Sequence, residues 1–188
     1  ARFMVRGTGM TNATASVNVV NSMGMPLFHI KDDGRTGIGT SSPGARLMVN
    51  GLGNTSTTVA LNIANSMNSS MLLVRDDGRI GVGVTSPGAK FMVKGEGMTN
   101  ATATMNIVNS MNSSLFHIKD DGKVGVGTTS PGAKFMVVGE GMTNATATMN
   151  IVNSMSMSLF HIKDNGNVGI GTTSPGARLQ VGTMGDGS

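Results

Sequence analysis

The chain has 188 residues and a formal net charge of +4; 13% of residues are charged and 38% apolar, with 28 Gly, 17 Met and no Cys, Trp or Tyr. Low charge beside that apolar share argues against disorder, and the lack of cysteine excludes a disulfide framework and thiolate metal sites. No apolar run approaches the roughly 18 residues of a membrane span, and the basic residues recur singly without an aromatic stacking platform, so neither membrane insertion nor nucleic acid is expected.

One phrase organises the chain. Asp121 to Lys134 reads DGKVGVGTTSPGAK; close copies run from Asp33 to Arg46, Asp77 to Lys90 and Asn165 to Arg178. Gly34, Gly78, Gly122 and Gly166 are each 44 residues apart. Alignment on Phe3 gives four gapless repeats, 3–46, 47–90, 91–134 and 135–178, with a partial repeat over 179–188. A gapless period of this length predicts one structural unit repeated along an axis. Residues 1–2 match Ala45 and Arg46 and read as the end of a preceding repeat. No signal-peptide pattern precedes them, which suggests a mature or excised part of something longer.

The third repeat illustrates the elements in order. Phe91-Met92-Val93 is a short apolar strand leaving into the glycine turn Gly95-Glu96-Gly97. In Thr99–Asn109, Ala103, Met105 and Ile107 alternate with Thr102, Thr104 and Asn106, the period of two that marks a strand. A helix is disfavoured there by the Thr and Asn content. Asn109–Ser114 is a polar loop, whose counterpart in the first repeat carries Gly24 and Pro26. Leu115–Lys119 is a strand, and Asp120-Asp121-Gly122 predicts a tight primed hairpin turn. The returning strand, Val124-Gly125-Val126-Gly127, has a face without side chains, so another backbone is expected to approach it. Thr128–Gly132 closes the repeat, with Pro131 holding Ser130 extended.

Each repeat is thus three to five short strands joined by glycine-rich turns. One such unit has too small a core to stand alone. The expected fold is all-β, an elongated fibre of 44-residue β units, most simply an intertwined homotrimeric β shaft, with a single-chain β-solenoid as the alternative. The glycine face and the Met-rich apolar positions fit packing of one chain on another.

The run Asn167-Val168-Gly169-Ile170-Gly171-Thr172-Thr173-Ser174-Pro175, followed by Leu179-Gln180-Val181, resembles the repeats of bacteriophage tail fibres and related bacterial surface fibres. In many of these the phrase precedes a self-cleaving intramolecular chaperone of the endosialidase type. The resemblance covers every repeat. It implies a trimeric, intertwined β shaft in the virion or outside the cell, spacing and presenting a terminal receptor-binding or chaperone-processed domain. It also implies that Ser188 lies near a cleavage point, and that any receptor is met through regions outside this chain. A bacterial extracellular filament or adhesin stalk is the alternative function. A ligand- or ice-binding solenoid comes third, from the threonine rows that Val59 and Ala60 interrupt.

No catalytic residue, cofactor or enzyme activity is expected. Glu occurs only at Glu96 and Glu140, and almost all other acids sit in Asp-Gly turns. The turn residues are Asp33, Gly34, Asp77, Gly78, Asp121, Gly122, Asn165 and Gly166. The close-packing glycines are Gly37, Gly39, Gly81, Gly83, Gly125, Gly127, Gly169 and Gly171. His29, His117 and His161 share one repeat position and are the candidate metal ligands; Leu73 at the equivalent place in repeat 2 favours a packed histidine instead. The paired aspartates suit a turn better than calcium, which needs more oxygens. The Gly-x-Gly phrase lacks the third glycine and helix of a nucleotide loop. Asn18, Asn62, Asn106 and Asn150, and Asn21, Asn65, Asn109 and Asn153, form two rows that read either as side-chain ladders or as a solvated strand face.

Overall fold

The computed structural model describes residues 4–182, so residues 1–3, most of the tail and Ser188 lie outside the described residues. The described chain is all-β, with 16 strands and no helix. It divides into two units between Lys94 and Gly95. Within each, the repeats follow one another in the manner of a β-solenoid.

The first unit holds two four-stranded sheets: β1 (Ala15–Val20), β2 (Pro26–Lys31), β3 (Thr36–Ile38) and β4 (Leu47–Val49), then β5 (Val59–Ala64), β6 (Ser70–Arg75), β7 (Ile80–Val82) and β8 (Phe91–Val93). The second unit holds β9 (Ala103–Val108), β10 (Ser114–Lys119), β11 (Val124–Val126) and β12 (Phe135–Val137), then β13 (Ala147–Val152), β14 (Ser158–Lys163), β15 (Val168–Ile170) and β16 (Leu179–Val181). Each sheet follows chain order. The first three strands pair antiparallel and the fourth lies parallel to the third.

Local chemistry sets these elements. The β9–β10 loop closes on Asn109, whose Oδ1 accepts the N–H groups of Met111 (2.9 Å) and Ser113 (3.0 Å). Asn112 there takes φ 60°, a left-handed position held by Gly24, Asn68 and Ser156 in the other repeats. The Asp-Gly hairpin is not the primed turn that its sequence suggests. The Gly122 N–H reaches the Lys119 carbonyl at 3.0 Å, and the Lys119 N–H reaches Lys123 at 2.9 Å. Only Gly122, at φ 80°, is left-handed; Asp120 and Asp121 are not. This is a three-residue loop ending in a glycine bulge. Asp121 favours it by accepting the Lys123 N–H on its own Oδ1 at 3.1 Å.

The parallel pair needs a reversal between β11 and β12, and residues 127–134 make it. A parallel connection usually takes a dozen residues or more. Here the strands are only three residues long, and Gly127, at φ 72°, starts the reversal. The loop folds back across one face of its own sheet. That face carries the row Asn106, His117, Gly125, Met136, and His117, Gly125 and Pro131 are its buried members. This polar nucleus recurs with His29, Gly37 and Pro43, and with His161, Gly169 and Pro175; repeat 2 has Leu73, Gly81 and Pro87. Apart from the prolines, Leu73 at 3% exposure is the one buried apolar side chain among the described residues.

Candidate functional site

The other face of each sheet is where the apolar residues go. Cross-strand register in the third sheet gives two rows: Met105, Ile118, Val124, Phe135, and Ile107, Phe116, Val126, Val137. The fourth sheet repeats them as Met149, Ile162, Val168, Leu179 and Ile151, Phe160, Ile170, Val181. The second has Leu61, Val74, Ile80, Phe91 and Ile63, Leu72, Val82, Val93. The first has Val17, Ile30, Thr36, Leu47 and Val19, Phe28, Ile38, Val49, with Thr36 the single polar residue. All of these side chains are partly or largely exposed, and Phe135 and Leu47 are 57% and 60% exposed. A sheet normally covers such a face against a second layer. Here the chain's own loop covers the opposite, polar face, and nothing in the described chain buries the apolar one.

The expected close-packing glycines serve that loop. A Cβ on Gly37, Gly81, Gly125 or Gly169 would lie 2.2–2.7 Å from the carbonyl oxygen of Thr40, Val84, Thr128 or Thr172. Gly39, Gly83, Gly127 and Gly171 sit at φ 69–72°, and the first three pack against the carbonyls of Asn50, Lys94 and Val138. The approaching backbone is the chain's own. The glycine face is therefore filled by the loop, and the apolar face is the one left open among the described residues.

Within one chain the candidate metal ligands stand apart. His29, His117 and His161 are each buried in a separate sheet, and among the described residues no three His, Cys, Asp or Glu side chains gather as a metal-holding group. Each imidazole lies between an asparagine and a glycine in its cross-strand row. His29 Nδ1 is 3.1 Å from Asn18 Oδ1. In repeats 3 and 4 a serine takes that acceptor instead, Ser114 to Asn106 at 2.8 Å and Ser158 to Asn150 at 2.7 Å. His117 and His161 Nδ1 are left buried without a partner. Thus the first asparagine row bonds within its own repeat, and the second row, Asn21, Asn65, Asn109 and Asn153, caps its own loops. Neither forms a ladder between repeats.

The paired aspartates divide their work. Asp33, Asp77, Asp121 and Asn165 accept the N–H two residues on, as turn residues should. Asp121 also meets Lys123 Nζ at 2.9 Å, and this lysine, chiefly through that bond, lowers its pKa. The aspartate before it does something the sequence reading missed. Asp120 reaches back to the glycine turn, accepting the Gly97 N–H (2.9 Å) and the hydroxyls of Thr102 (2.6 Å) and Thr104 (2.5 Å). A Cβ on Gly95 would fall inside this carboxylate, which explains the first glycine of the phrase. Asp32 and Asp164 repeat the clamp with Ser16 and Thr148. Side-chain hydroxyls hold all three below the usual carboxylate range: Ser16 foremost for Asp32, Thr102 for Asp120 and Thr146 for Asp164. Repeat 2 has Ala60 in place of Thr104, so Asp76 keeps the Gly53 N–H at 3.1 Å without that hydroxyl. A Gly-x-Gly followed at fixed distance by hydroxyl residues was the available signal.

Several of the single basic residues are also occupied. Lys31 and Lys119 donate to the carbonyls of Asn12 and Asn100, each at 2.7 Å, and Arg75 donates to Ser56. Lys90 and Lys134 donate to Asp77 and Asp121 carbonyls. Compared with known proteins, the chain matches no family model and no curated sequence. No described helix is long and apolar enough to cross a membrane.

Proposed function

We propose that this chain is a structural shaft segment of an extracellular fibre, of the phage or phage-like tail-fibre kind. Its copies associate through the apolar sheet faces, as a homotrimer. The carrying observation is that face: the same two apolar rows, recurring every 44 residues, uncovered in all four sheets.

A shaft has to span distance, resist unfolding and hold a terminal domain away from its base. Gapless repeats with every turn tied to its own sheet suit that work. Most of the aspartates serve as turn and clamp acceptors, and several of the bases tie loops. Trp and Tyr, favoured in recognition surfaces, are absent, so receptor binding is assigned to regions outside this chain. Electron microscopy of the purified chain tests the reading. Rods of uniform width are expected, longer by a constant step for each added 44-residue repeat. Compact particles that merely swell with added repeats contradict it.

A further inference from the structure

The four sheets also end in bare edges. No backbone hydrogen bond joins one sheet to another among the described residues. The edge strands read ASVNVV, VALNIA, ATMNIV and ATMNIV on one side and LMV, FMV, FMV and LQV on the other. None contains a charged residue or proline, the usual guards of a free edge. The bulges at the β9–β10 pair flank the regular segment 105–107 without interrupting it.

The outward backbone groups can be named. Gly127 N–H bonds Leu115 C=O, and Lys119 N–H bonds Lys123 C=O. Odd-numbered residues of β10 therefore face β11, and Phe116 and Ile118 face their β9 partners Ile107 and Met105. That leaves the N–H and C=O of Asn106 pointing away from the sheet. On the far side, Val124 N–H bonds Lys134 C=O and Val138 N–H bonds Val126 C=O. Met136 thus faces β11, and the backbone groups of Phe135 and Val137 point outward.

We propose that each sheet pairs edge to edge with the same sheet in neighbouring copies, β9 of one copy lying parallel to β12 of the next. This rests on the self-association proposed above and specifies its geometry. Strand direction permits it: β9 and β12 both run opposite to β10. In a parallel ladder one outward residue bonds the two that flank its level. The Asn106 N–H donates to the carbonyl of the partner subunit's Phe135, and the Asn106 carbonyl accepts the N–H of the partner subunit's Val137. The row Asn106, His117, Gly125, Met136 then continues at one level into the next copy. A head-to-tail contact of this kind closes into a ring when the rotation between copies closes, and a closed ring of three copies seals every edge. Asn18, Asn62 and Asn150 occupy the same position in the other sheets.

Residue-resolved amide hydrogen exchange on the assembled chain, with its mass measured in the same buffer, tests this. The Asn106 and Val137 amides are expected to exchange about 1,000-fold or more slowly than unstructured amides, in step with His117 inside the sheet. Fast exchange at these two beside slow exchange at His117, in a particle of constant multi-chain mass, overturns the edge pairing and leaves face-to-face association standing. A single-chain mass overturns both.

Discussion

The carbonyl oxygen of Thr128 lies 2.5 Å from the point where a Cβ on Gly125 would sit. The loop can cross the sheet only because that position is empty. Gly125→Val is expected to displace the loop and the buried Pro131 with it, destabilising by about 3 kcal/mol or more. Thermal unfolding measures it; a variant that melts with the parent would remove the loop-packing account. Gly127→Val is expected to fail similarly, since φ 72° is costly for a β-branched residue.

His117→Leu is expected to be tolerated or stabilising by about 1–2 kcal/mol. It removes a buried Nδ1 that has no partner, and such a group costs about that much. Repeat 2 already places Leu73 there, 3% exposed. Denaturant unfolding of the variant, compared with the reverse change Leu73→His, reads the effect; a large loss from His117→Leu would point to a role that packing does not explain.

Acid should weaken the clamps. Asp32, Asp120 and Asp164 have pKa values lowered in the folded chain by hydroxyl and N–H donors. The unfolded chain therefore takes up these protons first as pH falls. The stabilisation is complete above about pH 5 and is lost as pH drops through the ordinary carboxylate range, about 3.9, toward the lower folded values. Thr104→Ala should flatten this acid limb, and Ala60→Thr should steepen it by giving Asp76 its missing hydroxyl. Melting temperature followed from pH 6 to pH 2 checks both signs.

Ser156 takes φ 62° where the first repeat has Gly24. A left-handed conformation costs a residue with a Cβ roughly 1–2 kcal/mol. Ser156→Gly is expected to recover part of that, raising the melting temperature while leaving the Asn153 cap intact. No change, or a loss, would show that the Ser156 side chain contributes something beyond its backbone.

The strands were legible because alternation and turn residues act locally. Ala103–Val108, Ser114–Lys119, Val124–Val126 and Phe91–Val93 fall where the pattern puts them. What escaped was set by side-chain bonds and by contacts distant in sequence. The Asp-Gly pair suggested a primed turn, but Asp121 accepting the Lys123 N–H settles a longer loop. Asp120 belongs partly to a glycine turn 23 residues away. The glycines at 125 and 127 announced a close approach without saying that the chain's own return loop makes it. Period two placed Met105 and Ile107 on one face, yet only the register with Phe116, Val126 and Val137 revealed that the face is apolar across all four strands.

The central claim is that other copies of this chain cover those faces. Sedimentation equilibrium over a wide concentration range tests it most directly. The account predicts a constant mass of three chains, each 19.2 kDa, down to the lowest concentration measured. A single-chain mass, with the apolar faces still open to water, would contradict it.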